Sequence, residues 1–250
     1  MKNVTDTPQG KQQMKTRKMK AFTFKRYGKS PELGFDDVDY PSPGADDILV
    51  KVYAVGLNPI DNMIPTGMFK PVLHFKLPAT LGSDLAGVVV AVGSRVTRFI
   101  PGDEIFASIF DTETGSLAEF ALVPESAAAR KPANLDFVQA ASFPMVSLTS
   151  WQALKERAKL RPGNKVFIPA GSGGIGSFAI QLAKHLGASV GTTTSTDNVD
   201  WVSRLGADEV IDYKKLEFEN ELSAYSALFD HGLASKFDHC FASIRSTGKR

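Results

Sequence analysis

One stretch near the middle of the sequence constrains the fold more than any other. It consists of a short apolar run, Val166-Phe167-Ile168, followed at once by a turn rich in glycine and then by a longer segment. In that segment the apolar residues recur every three or four positions: Ile175, Phe178, Ala179, Leu182, Ala183 and Leu186. Because this repeat marks one face of a helix, the stretch predicts a strand, a tight turn and an amphipathic helix in succession.

The spacing of the glycines in the turn indicates a dinucleotide site. Gly171 would bend the chain, Gly173 would let the backbone approach a pyrophosphate, and Gly176 would let the helix lie close to the strand. The pyrophosphate would then meet the free N–H groups of Gly174 and Ile175 at the positive end of the helix. Glycine turns also arise by chance, so the neighbouring sequence has to separate a cofactor site from an ordinary α/β turn.

The residues beyond the turn favour the cofactor interpretation. Strands are predicted at 189–193 and 209–213, and a helix is predicted between them at 197–205. Gly187 and Gly206 stand where the two helices should end. The resulting β-α-β-α-β order is typical of a doubly wound parallel sheet, and it predicts that class for this half of the chain.

The earlier part of the chain carries a different pattern. Short strands are predicted at 21–25, 48–55, 84–92, 104–108 and 118–123, and proline and glycine separate them as in a partly closed β-barrel. Helices are predicted at 135–141 and 148–158. We therefore predict an α/β protein with a disordered N-terminal extension at 1–18, a catalytic or substrate domain at 19–144 and a dinucleotide-binding domain at 145–250.

Composition argues against several classes of function. Of the 250 residues, 43% are hydrophobic and 22% are charged, and the net charge is only +2, so we expect no nucleic-acid partner. No apolar run reaches the roughly 18 residues that a membrane span needs, so we expect no membrane partner. Cys240 is the only cysteine, which excludes an internal disulfide and favours a reducing, cytoplasmic location.

Several short motifs follow one another in a fixed order. They are Gly-Leu-Asn-Pro-Ile-Asp at 56–61, Leu-Gly-Ser-Asp-Leu-Ala-Gly at 81–87, Gly-Asp at 102–103, Leu-Thr-Ser-Trp-Gln-Ala-Leu at 148–154, and the glycine turn. In this order they resemble the medium-chain dehydrogenase/reductase superfamily, and most of all its zinc-independent NADPH:quinone reductases and enone reductases. The resemblance runs from about Met19 to the last residue. It implies a GroES-like domain, a Rossmann domain, and hydride transfer from NADPH to a quinone or an α,β-unsaturated carbonyl.

The resemblance also implies that no metal is needed. The zinc-dependent branch has cysteine or histidine ligands where this chain has Asn58, Ser83 and the neighbourhood of Met145. Zinc takes about four nitrogen or sulfur donors, three of them from the protein in a catalytic site. The histidines, His74, His185, His231 and His239, are scattered along the sequence, so we predict no metal site.

The end of the second predicted strand of the dinucleotide domain indicates which nicotinamide cofactor binds. An NAD site usually carries Asp or Glu there to hold the ribose 2′-hydroxyl, whereas this chain has hydroxyl residues throughout 192–196. By resemblance, Thr194, Ser195, Asn198 and Tyr213 would hold the 2′-phosphate of NADPH (NADP⁺).

One position departs from the pattern of the relatives. They often carry a lysine where this chain has Asp197, and Arg204 and Lys214 are candidates to replace its charge. Alternatively, Asp197 serves simply as the N-cap of the next helix.

Little side-chain chemistry is required because the cofactor carries the reaction. By resemblance, Asn58 and Thr149 line the nicotinamide site and Asp61 supports the Asn-Pro turn, although Asn58 could also be a turn former only. An apolar wall could come from Tyr53, Met63, Phe69, Phe110 and Met145, although residues of these types more often belong to a core. The proton donor is left open between water and the hydroxyl groups of Tyr53 and Thr149.

Relatives of this kind continue past the point where this sequence ends. Residues 222–230 resemble their fourth strand and residues 235–244 the helix after it, and the relatives then add two more strands. Pairing of the sixth strands makes many of them homodimers, which we do not expect here. An incomplete Rossmann sheet leaves a second hypothesis, in which the chain binds nucleotide without catalysis. RNA binding, or a structural role as in the lens, is a third.

Overall fold

The structure is a computed structural model that describes residues 17–110, 112, 114–216, 225 and 227–229. The chain divides into two compact units, Met1–Ala141 and Ser142–Arg250, and each has its own hydrophobic core. Within the described ranges, no helix combines the length and the apolar character needed to cross a membrane.

The first unit is built from antiparallel strands, and five of them lie where the sequence predicts short strands. Its described strands are β1 (Lys18–Arg26), β2 (Glu32–Asp39), β3 (Asp47–Gly56), β4 (Ala79–Thr80), β5 (Asp84–Val92), β6 (Glu104–Ser108), β7 (Phe120–Pro124) and β8 (Ala128–Arg130). They form one sheet in the order β2-β1-β4 and another in the order β7-β3-β5-β6-β8, with a bridge between Ala21 and Ala118. The larger sheet buries Ile48, Leu85 and Ile105 completely.

Two short helices belong to this unit. Helix α1 (Pro59–Met63) begins with proline, whose fixed φ suits the first helical position, and it leads into a 3₁₀ turn at Ile64–Thr66. Helix α2 (Phe137–Ala141) packs against Ala86 of β5 through Ala140 and Ala141.

The second unit alternates helices and parallel strands. Helix α3 (Pro144–Trp151) continues as a π-helical segment at Gln152–Arg157, and β9 (Lys165–Ile168), α4 (Gly174–His185), β10 (Ser189–Thr194), α5 (Val199–Arg204), β11 (Glu209–Asp212) and β12 (Ala227–Leu228) follow. The strands form a parallel sheet in the order β11-β10-β9-β12, which is the 3-2-1-4 half of a doubly wound sheet. The predicted α/β class, with antiparallel sheets in the first unit and a parallel, Rossmann-like sheet in the second, is confirmed.

Glycine ends both crossover helices of this sheet. Gly187 adopts φ +82° after α4, where its N–H donates to the Lys184 carbonyl at 2.9 Å and the N–H of Ala188 donates to the Ala183 carbonyl at 3.0 Å. This pair of bonds satisfies carbonyl groups that a helix end would otherwise leave exposed. Gly206 has φ +106° after α5, and its N–H donates to the Ser203 carbonyl at 3.0 Å.

Several predicted boundaries differ from the structure. The helix expected from residue 148 begins four residues earlier, at Pro144, and β2 was not predicted at all. Asp197 is not the N-cap of α5, because it lies inside a 3₁₀ turn at Thr196–Asn198 and Asn198 caps the helix. Strand β1 begins at Lys18, inside the predicted N-terminal extension. The helix predicted at 235–244 lies outside the described residues.

Candidate functional site

The glycine turn between β9 and α4 has two buried and two exposed glycines. Gly171 and Gly176 are buried, whereas Gly173 and Gly174 face solvent. A Cβ atom added at Gly176 would lie 2.3 Å from the Ala170 carbonyl oxygen, so only glycine lets the helix approach the strand this closely. Ala170 itself adopts φ +54°, a left-handed conformation that is unusual for alanine.

The N-terminus of α4 is open above this turn. Gly173 is the N-cap with extended backbone (φ −78°, ψ 168°), and the first bond of the helix runs from the Ser177 N–H to the Gly173 carbonyl at 2.9 Å. The N–H groups of Gly174, Ile175 and Gly176 therefore precede any intrahelical acceptor and point out of the helix end. Such an end attracts anions through both its N–H groups and the helix dipole.

Polar residues gather at the carboxyl end of the neighbouring strand β10. The Asn198 Nδ2 group donates to Ser195 Oγ at 3.1 Å, and the Tyr213 N–H donates to the Thr194 carbonyl at 3.2 Å. Tyr213 is 54% exposed, but Thr194 is only 1% exposed and its hydroxyl is buried without a partner among the described residues. Ser195, Asn198 and Tyr213 thus lie together at the surface, while the Thr194 side chain belongs to the interior.

The charged groups beside this cluster differ in how well they are placed to bind a phosphate. The Thr196 hydroxyl donates to Asp212 at 2.7 Å and holds the pKa of that carboxyl below its usual range, and Lys215 pairs with it at 3.3 Å. Lys214 is exposed next to Tyr213. Arg204 lies in the last turn of α5, at the end of the helix away from Ser195, so it is poorly placed to replace the missing lysine.

In the first unit, strand β5 brings two polar residues to the turn before α1. Gly56 at the end of β3 pairs with Asp84 at the start of β5, so Asn58 follows the strand by two residues and comes next to the same carboxylate. The Asn58 Nδ2 group donates to Asp84 Oδ2 at 3.1 Å. Asp84 is 1% exposed.

Asp61 holds the backbone of the same turn. Its Oδ2 accepts the Asn58 N–H at 2.7 Å, and its Oδ1 accepts the hydroxyl of Ser83 at 2.9 Å. Asp61 is 6% exposed, and burial raises the pKa of its carboxyl although the two hydrogen bonds act in the opposite direction. The structure therefore brings the predicted Asn58 and Asp61 together, and it adds Ser83 and Asp84 to them.

A cavity of about 600 Å³ adjoins this turn, since Leu57, Asp61 and Asn62 form part of its wall. The rest of the wall is mostly apolar and comes from Phe22, Leu33, Phe35, Val55, Leu81 and Leu117 among others.

The residues predicted for an apolar wall are absent from the lining of this cavity. Tyr53 stacks on Phe137 with centroids 4.7 Å apart, while Phe69 and Phe110 pack against the core around Phe24. For Phe69 and Phe110 the core interpretation is therefore the better one.

The predicted Thr149 lies on α3 in the second unit, where it is half-buried.

The described histidines, His74 and His185, are both exposed. Over the part of the chain that the structure describes, no three side chains of His, Cys, Asp or Glu are grouped so that they could hold a metal ion.

Comparison with known proteins identifies the family. Residues 44–133 match the alcohol dehydrogenase GroES-like domain, and residues 174–248 match the zinc-binding dehydrogenase domain. A quinone-oxidoreductase homolog from chloroplasts of Spinacia oleracea is 36% identical over 224 residues, covering 87% of this chain and 68% of the relative. The chain belongs to the medium-chain dehydrogenase/reductase superfamily.

Other members of the superfamily agree with this assignment. The chloroplastic NADPH-dependent alkenal/one oxidoreductase of Arabidopsis thaliana is 40% identical over 223 residues, which cover 86% of this chain and 57% of that protein. The quinone oxidoreductase of Coxiella burnetii has a solved structure that superposes with a TM-score of 0.82 at 32% identity, covering 93% of this chain and 74% of the other. Against several of the curated relatives, the chain spans little more than half of their length.

Proposed function

We propose that this chain binds NADPH and transfers a hydride to a quinone or an α,β-unsaturated carbonyl without a catalytic metal. The observation that carries the proposal is the open N-terminus of α4 above a glycine turn whose central residues lack side chains and face solvent. Names of relatives, such as the NADPH-dependent alkenal/one oxidoreductase of Arabidopsis thaliana, support the substrate class and the cofactor.

The residues of the turn fit a dinucleotide pyrophosphate. Gly171 and Gly176 keep the strand and helix close. Gly174 and Ile175 offer backbone N–H groups at the helix end, and Gly173 has no side chain that would cover them. When bound, the reduced nicotinamide supplies the hydride, so the protein has to orient its partners and exclude water.

The polar cluster at the end of β10 favours NADPH over NADH. Ser195, Asn198 and Tyr213 present hydrogen-bond donors where an NAD site would usually place a carboxylate, and Lys214 adds a positive charge beside them. Asp197 is exposed nearby and opposes the binding of a phosphate. We infer a preference for NADPH that Asp197 weakens. Thr194 contributes by fixing the backbone, because its carbonyl accepts the Tyr213 N–H and its side chain is buried.

The substrate oxygen would be polarised by hydrogen bonds. The Asn58 amide has a second Nδ2 proton beyond the one given to Asp84, and Asp61 holds the Asn58 backbone in place. By resemblance, the Thr149 hydroxyl of the second unit is another candidate hydrogen-bond donor. Zinc is usually bound by Cys, His and carboxylate side chains, and Asn58 and Ser83, at the positions of the ligands in the zinc-dependent branch, are none of these, which supports a metal-free reaction.

Titration of the purified chain with NADPH and then NADH tests the cofactor proposal. Trp151 and Trp201 both lie in the second unit, so energy transfer from tryptophan to the bound nicotinamide should report binding. Oxidation of NADPH is then followed with a panel of quinones and enones, with and without a chelator. Binding without oxidation would support a non-catalytic nucleotide-binding role instead, and loss of activity with the chelator would contradict the metal-free mechanism.

A further inference from the structure

We infer that Asp84 is a positioning residue that sets the orientation of the Asn58 amide, and that this orientation is needed for hydride transfer. The inference rests on the proposed function, in which Asn58 meets the substrate or the nicotinamide. Asp84 contacts Asn58 and would act through it.

The first argument is the chemistry of the two partners. The Asn58 side chain has a donor end and an acceptor end that differ little in shape, so packing alone selects poorly between them. The Oδ2 atom of Asp84 accepts a hydrogen bond from Asn58 Nδ2, so Asp84 holds the donor end of the amide and directs Oδ1 to the other side.

The second argument is that the Asp84 carboxylate is fixed where the contact occurs. Asp84 begins β5, pairs with both Gly56 and Ser108 in the sheet, and is 1% exposed. The backbone of Asp84 therefore cannot move without disturbing the sheet. A hydrogen bond to such a residue therefore fixes the loop side chain relative to the sheet.

The third argument is that the backbone of Asn58 has a separate anchor. Asp61 accepts the Asn58 N–H at 2.7 Å and is itself bound by Ser83, the neighbour of Asp84 in sequence. The turn is thus held by one carboxylate and the side chain by another. Removing Asp84 should release the amide while the turn stays in place, which separates positioning from folding.

Nuclear magnetic resonance of the side-chain amides tests the contact without any turnover. The Asn58 Nδ2 proton pair is assigned by its loss in Asn58→Ala. We expect one of the two protons downfield of exposed asparagine amides in the unaltered chain, less so in Asp84→Asn, which keeps one acceptor oxygen, and not at all in Asp84→Ala. Asp103→Asn, which removes a carboxylate paired with Arg130 elsewhere in the first unit, should leave the signal unchanged. An Asn58 amide signal that is the same in the unaltered chain and in Asp84→Ala overturns the inference.

A double-mutant cycle tests the catalytic consequence. In the unaltered background, Asp84→Ala should lower kcat/KM by about 10- to 100-fold, mainly through kcat, as expected for a misplaced group. In the Asn58→Ala background the same change should cost less than about threefold, because residues that act as a unit are not additive. Asp84→Asn should recover part of the loss.

The outcomes of the two experiments distinguish this inference from the proposed function. Losses that multiply in the cycle would show that Asp84 acts independently of Asn58, which overturns the inference. If the unaltered chain oxidises no NADPH with any quinone or enone, the proposed function fails, and the amide signal alone decides whether Asp84 orients Asn58. Thermal unfolding of each variant identifies any that fails to fold, in which case Asp84→Asn replaces Asp84→Ala in the cycle.

Discussion

Replacing Gly173 by valine should remove dinucleotide binding while leaving the protein folded. Gly173 is exposed and has extended backbone, a conformation that valine adopts readily. An added Cβ meets only the Ala170 carbonyl oxygen, at 3.3 Å, a tight contact that the backbone relieves by shifting a few tenths of an ångström. Since valine is a poorer N-cap than glycine, we expect a loss of about 0.5–1 kcal/mol in the free energy of unfolding.

The cost to binding should be much larger. The valine methyl groups would cover the N–H groups of Gly174 and Ile175, which are the ones available to a pyrophosphate. A hydrogen bond to a charged group is worth about 1.5–3 kcal/mol, so losing two of them costs about 3–6 kcal/mol. That loss raises the dissociation constant by about 10²- to 10⁴-fold.

Fluorescence titration with NADPH measures the effect directly. Gly34→Ala is the matched control, because a Cβ atom at Gly34 meets nothing within 4 Å and lies in β2 of the other unit. Its dissociation constant should equal that of the unaltered chain. If Gly173→Val unfolds at a temperature near that of the control and binds NADPH within about threefold as well, the pyrophosphate does not rest on the N-terminus of α4.

Three further changes test other parts of the structure. Gly176→Ala places a Cβ atom 2.3 Å from the Ala170 carbonyl and should destabilise the protein by about 1–3 kcal/mol or more, seen as a lower unfolding temperature; an unchanged temperature would contradict the close packing of α4 on β9. Asp61→Asn should change the pH dependence of stability in urea. Burial raises the native pKa of Asp61 above its ordinary value of about 3.8, so the native state binds the proton more readily than the unfolded state. The unaltered chain therefore loses stability as the pH rises from about 3.8 through the raised native pKa. The variant should lack this loss, and equal slopes would refute the burial argument. Asp197→Lys should tighten NADPH by about 3- to 30-fold, on the scale of one or two surface ion pairs, with NADH unchanged; an equal effect on both would exclude contact with the 2′-phosphate.

The local parts of the fold are the parts that sequence reasoning could reach. The strand, turn and helix around Gly173 are encoded within a few residues, because the glycines and the apolar repeat act on their immediate neighbours. The helix ends at Gly187 and Gly206 follow for the same reason. Pro144 offered a comparable signal for the start of α3, since proline favours the first helical position, but the apolar pattern suggested a later start.

Strand β2 was missed because its stability comes from a partner rather than from its own pattern. It contains four acidic residues in eight, which resembles a loop, and it is paired with β1 along its whole length. Lysine side chains of β1 form ion pairs across the two strands, such as Lys18 with Asp39 at 2.7 Å and Lys20 with Asp37 at 2.9 Å. Charges of this kind look like a solvated surface until the facing strand is known.

The site shows the same division. Asn58 and Asp61 were found because they share one short motif, and their mutual bond spans only three residues. Asp84 was not assigned a role, since its contact with Asn58 depends on the register of β3 and β5. The available signal was an aspartate at the start of an otherwise apolar run, Leu-Ala-Gly-Val-Val-Val, where a charge is costly unless it has partners.

The strand order of the parallel sheet also bears on how the second unit assembles. Val166 in β9 pairs on one side with Val190 of β10, the next strand in the sequence. On the other side it pairs with Ala227 of β12, which follows both β10 and β11 in the sequence. Closing a long loop costs more entropy than closing a short one, so β9, β10 and β11 should associate before β12 joins them. The glycine turn follows β9, and the polar cluster of Ser195, Asn198 and Tyr213 lies at the ends of β10 and β11. A nucleotide could therefore engage a partly assembled sheet and favour its completion.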